Sequence, residues 1–154
     1  MTTTDHGVGR RHSLEQERAA YAWDYIQSVK AVSKQQGEQD GKRQIEKDYR
    51  SRVRGFGPMV LANGLGPALA FLYAKRSEKN QGDSYALLLQ HVAGWLVKKG
   101  IIIGNDANAL ASQIGTMPLA QYRQARSEAL AILVWLKRFA EGALEEPENS
   151  REDV

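Results

Sequence analysis

The sequence predicts an all-α fold, a single-domain bundle of about six or seven helices with no significant sheet. Three observations predict it. Apolar residues recur at spacings of three and four in successive segments, which is the helical period. Glycine, proline and N-cap residue types fall between those segments, where helices start and stop. The only strand-like run, Ile101-Ile102-Ile103, has no second strand to pair with. A chain of 154 residues is one domain by length, enough to bury roughly 70% of its unfolded surface.

Residues 1–12 read as a flexible polar arm. Ser13 is the first N-cap candidate, with Glu15 and Glu17 in the first turn, where the helix dipole favours acids. The helix runs from about Leu14 to Gln35. Ala22, Tyr25, Ile26, Val29 and Val32 make its buried stripe. Gly37 ends it, and residues 37–41 form a polar turn.

The second helix covers about Lys42 to Arg54, with Ile45, Tyr49 and Val53 as a narrow apolar stripe. At 100° per residue, Arg43, Lys47, Arg50 and Arg54 fall within about 60° of one another on a different face, along roughly 16 Å of axis. Glu46 and Asp48 lie off this stripe and neutralise it only in part. The stripe reads as a solvated face or as a surface for phosphates.

Gly55 to Arg76 is apolar-rich and broken in the middle. Pro58 suits the first turn of a helix, continued by Met59, Val60 and Leu61. Asn63-Gly64 predicts a stop or sharp bend. Pro67 starts a further helix, Ala68 to Lys75, anchored by Phe71 and Leu72.

A polar loop, Ser77 to Asp83, leads to the N-cap, Asp83 or Ser84. The strongly apolar helix from Tyr85 to Lys99 is central or packed on two sides, and Gly100 caps it. Ile101 to Ile103 reads as an extended, buried connector. Asp106 caps a short helix, Ala107 to Ile114, and residues 115–118 form a turn. The last helix is the longest, about Leu119 to Gly142. Tyr122, Ala125, Ala129, Ile132, Leu136 and Phe139 form its buried face, and Arg123, Arg126 and Lys137 share a neighbouring one. Trp135 lies off the core stripe; it marks a partner surface if exposed, or packs under another helix. The domain thus spans 13–142, and 143–154 form an acidic tail that does not pack.

Charge is unevenly placed. The net charge is +3. From Glu141 onward six acids face Arg151 alone, a local −5, which leaves +8 on the first 140 residues. A basic body with an acidic tail suits a polyanionic partner or merely a soluble surface.

Sites for chemistry are not apparent in the sequence. His6, His12 and His91 are scattered, without metal-binding spacing; His91 reads as a satisfied helix residue. No nucleophile elbow or phosphate loop is present. Gly64-Leu65-Gly66 follows no strand and cannot open a dinucleotide site. Glu46 and Asp48 point to different faces of one helix. The chain holds no cysteine, which excludes disulfides and thiolate sites and fits a cytoplasmic protein. It has no long apolar run for a membrane span. No catalytic residue, metal site or cofactor is expected.

Two motif groups resemble a known family. In the middle stand Tyr49, Arg54, Pro58, Asn63-Gly64-Leu65 and Leu69-Ala70-Phe71-Leu72. Near the C-terminus stand Tyr122-Arg123, Glu128-Ala129-Leu130 and Trp135-Leu136-Lys137-Arg138-Phe139-Ala140-Glu141-Gly142. Together they resemble the small helical subunit of the type III-B CRISPR RNA-targeting effector, the Cmr complex, over roughly Leu14 to Gly142. Gly57 departs from the family pattern, where a Leu is common before the proline.

The resemblance implies a non-catalytic subunit of an antiviral defence complex. Several copies would stack along the complex, beside the backbone and large subunits, with basic side chains lining the channel for the CRISPR RNA–target RNA duplex. The residues for that role are Lys42, Arg43, Lys47, Arg50 and Arg54 on one helix and Arg123, Arg126, Lys137 and Arg138 on the last. The competing readings are a stand-alone DNA-binding protein of helix-turn-helix type, with the bend at Asn63-Gly64 as its turn, and an enzyme of unknown type.

Overall fold

The structure is a computed structural model that describes residues 12–37, 43–77, 83–104 and 107–147. Among these residues there are six helices and no strand: α1 (Leu14–Gln35), α2 (Gln44–Asn63), α3 (Leu65–Lys75), α4 (Ser84–Lys98), α5 (Ala107–Ile114) and α6 (Leu119–Ala143). The all-α single-domain expectation therefore holds. None of these helices is long and apolar enough to cross a membrane. The expectations for Lys42, Asp106 and residues 1–11 and 148–154 lie outside the described residues.

Local chemistry explains most boundaries. Ser13 accepts from Gln16 N at 3.2 Å while the Gln16 side chain accepts from Ser13 N at 2.9 Å, a reciprocal capping box. Asp83 caps α4 through Ala86 N at 2.8 Å. Gly37 and Gly100 follow helix ends at positive φ.

The middle of the chain departs from expectation. Pro58 does not start a new helix; it sits inside α2, which runs unbroken to Asn63. The buried set Ile45, Tyr49, Val53, Phe56 and Val60 continues one stripe across the proline. Gly57 helps, because a residue before proline avoids the helical region partly through its Cβ, and glycine has none. Burial of Phe56 and Val60 on the same stripe outweighs the one hydrogen bond that proline removes. The break falls at Gly64, with φ 93° and ψ 161°, a region open essentially to glycine alone. α3 begins directly after it at Leu65 and buries Leu65, Ala68, Leu69 and Leu72. Phe71, expected as an anchor, is instead 37% exposed and meets Tyr85 edge-on.

α4 is the central helix, as its composition predicts, with Leu88, Val92, Trp95 and Leu96 fully buried. It packs on α1, α2, α3, α5 and α6. Ile101 and Ile102 are buried as a connector, but Ile103 is 85% exposed. Gln121 donates to the carbonyl of Ile101. α6 packs on α1 along one flank and α2 along another. The tail is expected to leave the body at residue 143, yet Leu144 is buried and joins the hydrophobic core.

Two buried polar nodes tie the helices together. Tyr49 Oη and His91 Nδ1 lie 2.7 Å apart, and Tyr21 donates to the carbonyl of His91 at 2.9 Å, joining α2, α4 and α1. Burial pushes the His91 imidazole down to about 3 and raises the Tyr21 and Tyr49 hydroxyls. The sequence expectation of a satisfied helix histidine is thus met. At the second node Arg18 Nη2 donates to Glu128 at 2.6 and 3.2 Å, and Trp95 Nε1 donates to the same carboxylate at 3.3 Å. The hydrogen bond to Glu128 is the main cause that raises the Arg18 guanidinium, partly offset by burial. Sequence reading places Glu128 in a motif but not in the core, because an acid breaks the apolar pattern it completes.

Candidate nucleic-acid interface

The nine basic residues singled out by sequence lie on α2 and α6, apart from Lys42, which precedes the described start of α2, and Arg43, the α2 N-cap. α2 and α6 run antiparallel. Near the start of α2, Arg50 Nη1 donates to the Leu144 carbonyl at 3.3 Å and Glu46 Oε1 accepts from Glu145 N at 3.2 Å. Just past its end, Gly66 N donates to Tyr122 Oη at 2.9 Å. The edge of α2 that carries Glu46 and Arg50 therefore faces α6.

The helical step then places the two stripes. Arg43, Lys47 and Arg54 lie within about 60° of Arg50, on the outer side of the edge that faces α6. On α6, the flank towards α1 is marked by Phe139, which meets Trp23, and by Trp135, which donates to Glu15 Oε2 at 3.0 Å. Arg126 and Lys137 stand roughly 140–180° away from these rings, on the flank towards α2. Arg123 lies alongside them. The two stripes thus border one groove between α2 and α6.

The members differ in engagement. Arg43 pairs at 3.3 Å with Glu46, whose side chain is 1% exposed. Glu46, read in sequence as a partial neutraliser off the stripe, is in fact a buried anchor that holds both Arg43 and the backbone of the tail. Arg50 is half-buried and spends a donor on Leu144. Lys47 is half-buried. Arg54 and Arg123 are exposed, Arg126 and Lys137 half-buried, and these four side chains make no hydrogen bond or ion pair among the described residues. Arg138 is exposed but steps away towards the α1 flank, and it pairs with Glu141 at 3.3 Å. The groove therefore offers Arg54, Arg123, Arg126 and Lys137 as its available cations, with Lys47 beside them and Arg43 and Arg50 tied to the fold at one end.

Among the described residues no cluster of His, Asp and Glu is arranged to hold a metal ion. A partly open apolar pocket of about 110 Å³ lies between α3 and α5, lined by Leu69, Ala70, Tyr73, Leu89, Leu110 and Ile114. It contains no titratable group other than the Tyr73 phenol. Such a lining offers packing, not acid–base chemistry.

The sequence-derived motif residues gain physical roles from this arrangement. Tyr49 hydrogen-bonds His91, Gly64 makes the break, Leu65 and Leu72 are buried, Tyr122 holds the start of α3 and Glu128 binds Arg18 and Trp95. The family described as CRISPR-associated protein (Cas_Cmr5) matches residues 14–143 of this chain. The fold is also that of a crystal structure of a CRISPR-associated Cmr5 family protein from Thermus thermophilus. That chain is 24% identical, with a TM-score of 0.63, and the match covers 87% of this chain and 100% of that one. The matched span takes in all six helices and both motif groups, and the chain belongs to the CRISPR-associated Cmr5 family.

Proposed function

We propose that the chain is a non-catalytic small subunit of a type III-B CRISPR RNA-targeting complex. Several copies stack beside the backbone and large subunits in the cytoplasm. The α2–α6 groove of each copy faces the phosphates of the guide RNA–target RNA duplex. What supports this reading, beyond family membership, is that the helical step sets two cationic stripes on either side of the packed α2–α6 pair, with buried Glu46 tying Arg43 and the tail at one end. Arg54, Arg123, Arg126 and Lys137 suit phosphates, because they carry charge and are not consumed by the fold. They carry no base code, and none is needed when base pairing reads the sequence. Repetition in stacked copies turns weak single contacts into strong capture through effective concentration.

The helix-turn-helix reading fits poorly. The helix after the bend, α3, exposes Pro67, Ala70, Phe71, Tyr73, Ala74 and Lys75, and of these only Tyr73 and Lys75, the latter in the last turn, carry a polar group that could reach a base edge.

Co-expression of the tagged chain with the other subunits and a guide RNA tests the proposal. Recovery in a multi-subunit ribonucleoprotein that captures target RNA supports it. Recovery of the chain alone, with a sequence preference on duplex DNA, contradicts it.

A further inference from the structure

The α1 flank of α6, turned away from the basic groove, carries a different surface. Trp23 is 49% exposed. Its ring meets Phe139 edge-on at 5.5 Å between centroids, and Trp135 tilts against the same Phe139 at 5.7 Å. Trp135 Nε1 donates to Glu15 at 3.0 Å, which fixes that ring. Glu15 shares Arg18 with Glu128, and Asp24, exposed on α1, lies about 100° around the helix from Trp23, off the line of the ring.

Cations extend from this cluster along α1. Lys30 and Lys34 follow Trp23 by seven and eleven residues, within about 20° of it around the helix and about 10 and 16 Å along it. Neither side chain makes a hydrogen bond or ion pair among the described residues. Trp23 and both lysines lie outside the buried stripe of α1.

An exposed ring in line with unengaged cations suits a strand whose bases are apolar plates and whose backbone is anionic. Bases stack on aromatic faces, and a basic track follows the phosphates. A protein partner would use the rings but has less use for the lysines, a residue type depleted in protein interfaces. We propose that this surface binds unpaired RNA: Trp23, backed by Phe139 and Trp135, stacks one base, while Lys30 and Lys34 hold phosphates further along the same strand. The inference rests on the reading of the chain as an RNA-contacting subunit, but it uses other residues and takes single strand rather than duplex.

The test uses the full chain and a short oligouridine RNA, read by tryptophan fluorescence and by binding titration. Trp95 is fully buried, so quenching reports mainly on the exposed flank. Wild type is quenched on binding. Trp23→Ala weakens binding about 5- to 150-fold, from a stacking contribution of about 1–3 kcal/mol per base. Trp23→Phe keeps most of the affinity, whereas Trp23→Leu, which keeps apolar packing but has no π face, loses it as Trp23→Ala does. Lys30→Gln with Lys34→Gln flattens the dependence of log K on log salt by about 1.4. None of these changes alters duplex capture by the groove in the assembled complex. Reversal of the groove cations leaves oligouridine binding intact, so failure of either site is seen separately. Absence of quenching in wild type overturns the inference, as does unchanged binding by Trp23→Ala. Equal loss in Trp23→Ala and Trp23→Phe, with a lowered melting temperature, overturns it too. Loss of a co-purifying protein subunit from Trp23→Ala, with oligouridine binding intact, assigns the surface to protein and overturns it.

Discussion

The hydroxyl of Tyr122 on α6 accepts the backbone N–H of Gly66 at 2.9 Å. That N–H belongs to the first turn of α3, where no intrahelical acceptor exists. Gly64, the N-cap position, has no side chain to supply one. A residue 56 positions away therefore does the work of a cap and ties the helix break to the last helix. Tyr122→Phe removes the acceptor and keeps the ring. It should cost about 1 kcal/mol, read as a fall of about 2–4 °C in melting temperature.

Glycine at the break is required by the backbone rather than by space. A Cβ at Gly64 would lie 3.7 Å from Pro67 and from the Tyr122 hydroxyl, an ordinary contact, but φ is 93°. Gly64→Val should destabilise by about 1–3 kcal/mol, measured by urea denaturation. An unchanged midpoint would place the strain elsewhere.

Glu128 is the charge the core depends on. Its side chain is 10% exposed and that of Arg18 15%, so truncating Glu128 leaves the part-buried Arg18 with only the exposed Glu15 as a partner. Glu128→Ala should cost about 3–5 kcal/mol, and Arg18→Met with Glu128→Leu should recover most or all of it. A double variant as unstable as the single would assign the effect to Trp95, whose Nε1 also loses its acceptor.

The His91 node makes stability depend on pH in one direction. Its folded value, about 3, lies below the ordinary 6.5. Between these values the unfolded chain binds the extra proton, so acid favours unfolding. The contribution is complete above about pH 6.5 and is lost as pH falls towards 3, with a slope approaching about 1.4 kcal/mol per unit. His91→Gln cannot titrate. Its denaturation midpoint should fall less steeply than that of wild type over this range.

Helix number, most boundaries and the capping residues were legible in the sequence because they depend on neighbours three or four residues apart. Ser13 with Gln16 and Asp83 with Ala86 are of this kind. The continuous α2 was not legible. Gly57-Pro58 is a local signal to break, and only tertiary burial of Phe56 and Val60 overrides it. Both cationic stripes were visible by angular spacing, but their meeting at one groove depends on the antiparallel packing of α2 and α6. The burial of Glu46 under the tail and the diversion of Arg50 to Leu144 join residues 99 and 94 positions apart. Periodicity carries no information at that range. Glu128 and Leu144 were missed for the same reason: each is buried by partners distant in sequence.

The central claim is that the α2–α6 groove meets nucleic acid through phosphates. The salt dependence of target RNA capture tests it most directly. The assembled complex should be compared when it carries wild-type chain and when it carries Arg54, Arg123, Arg126 and Lys137 all changed to Gln. The variant complex should show weaker capture and a slope of log K against log salt flatter by about 3 per engaged copy, from about 0.7–0.9 for each phosphate no longer neutralised. An unchanged slope with unchanged capture would contradict the claim and leave the groove as a surface between protein subunits.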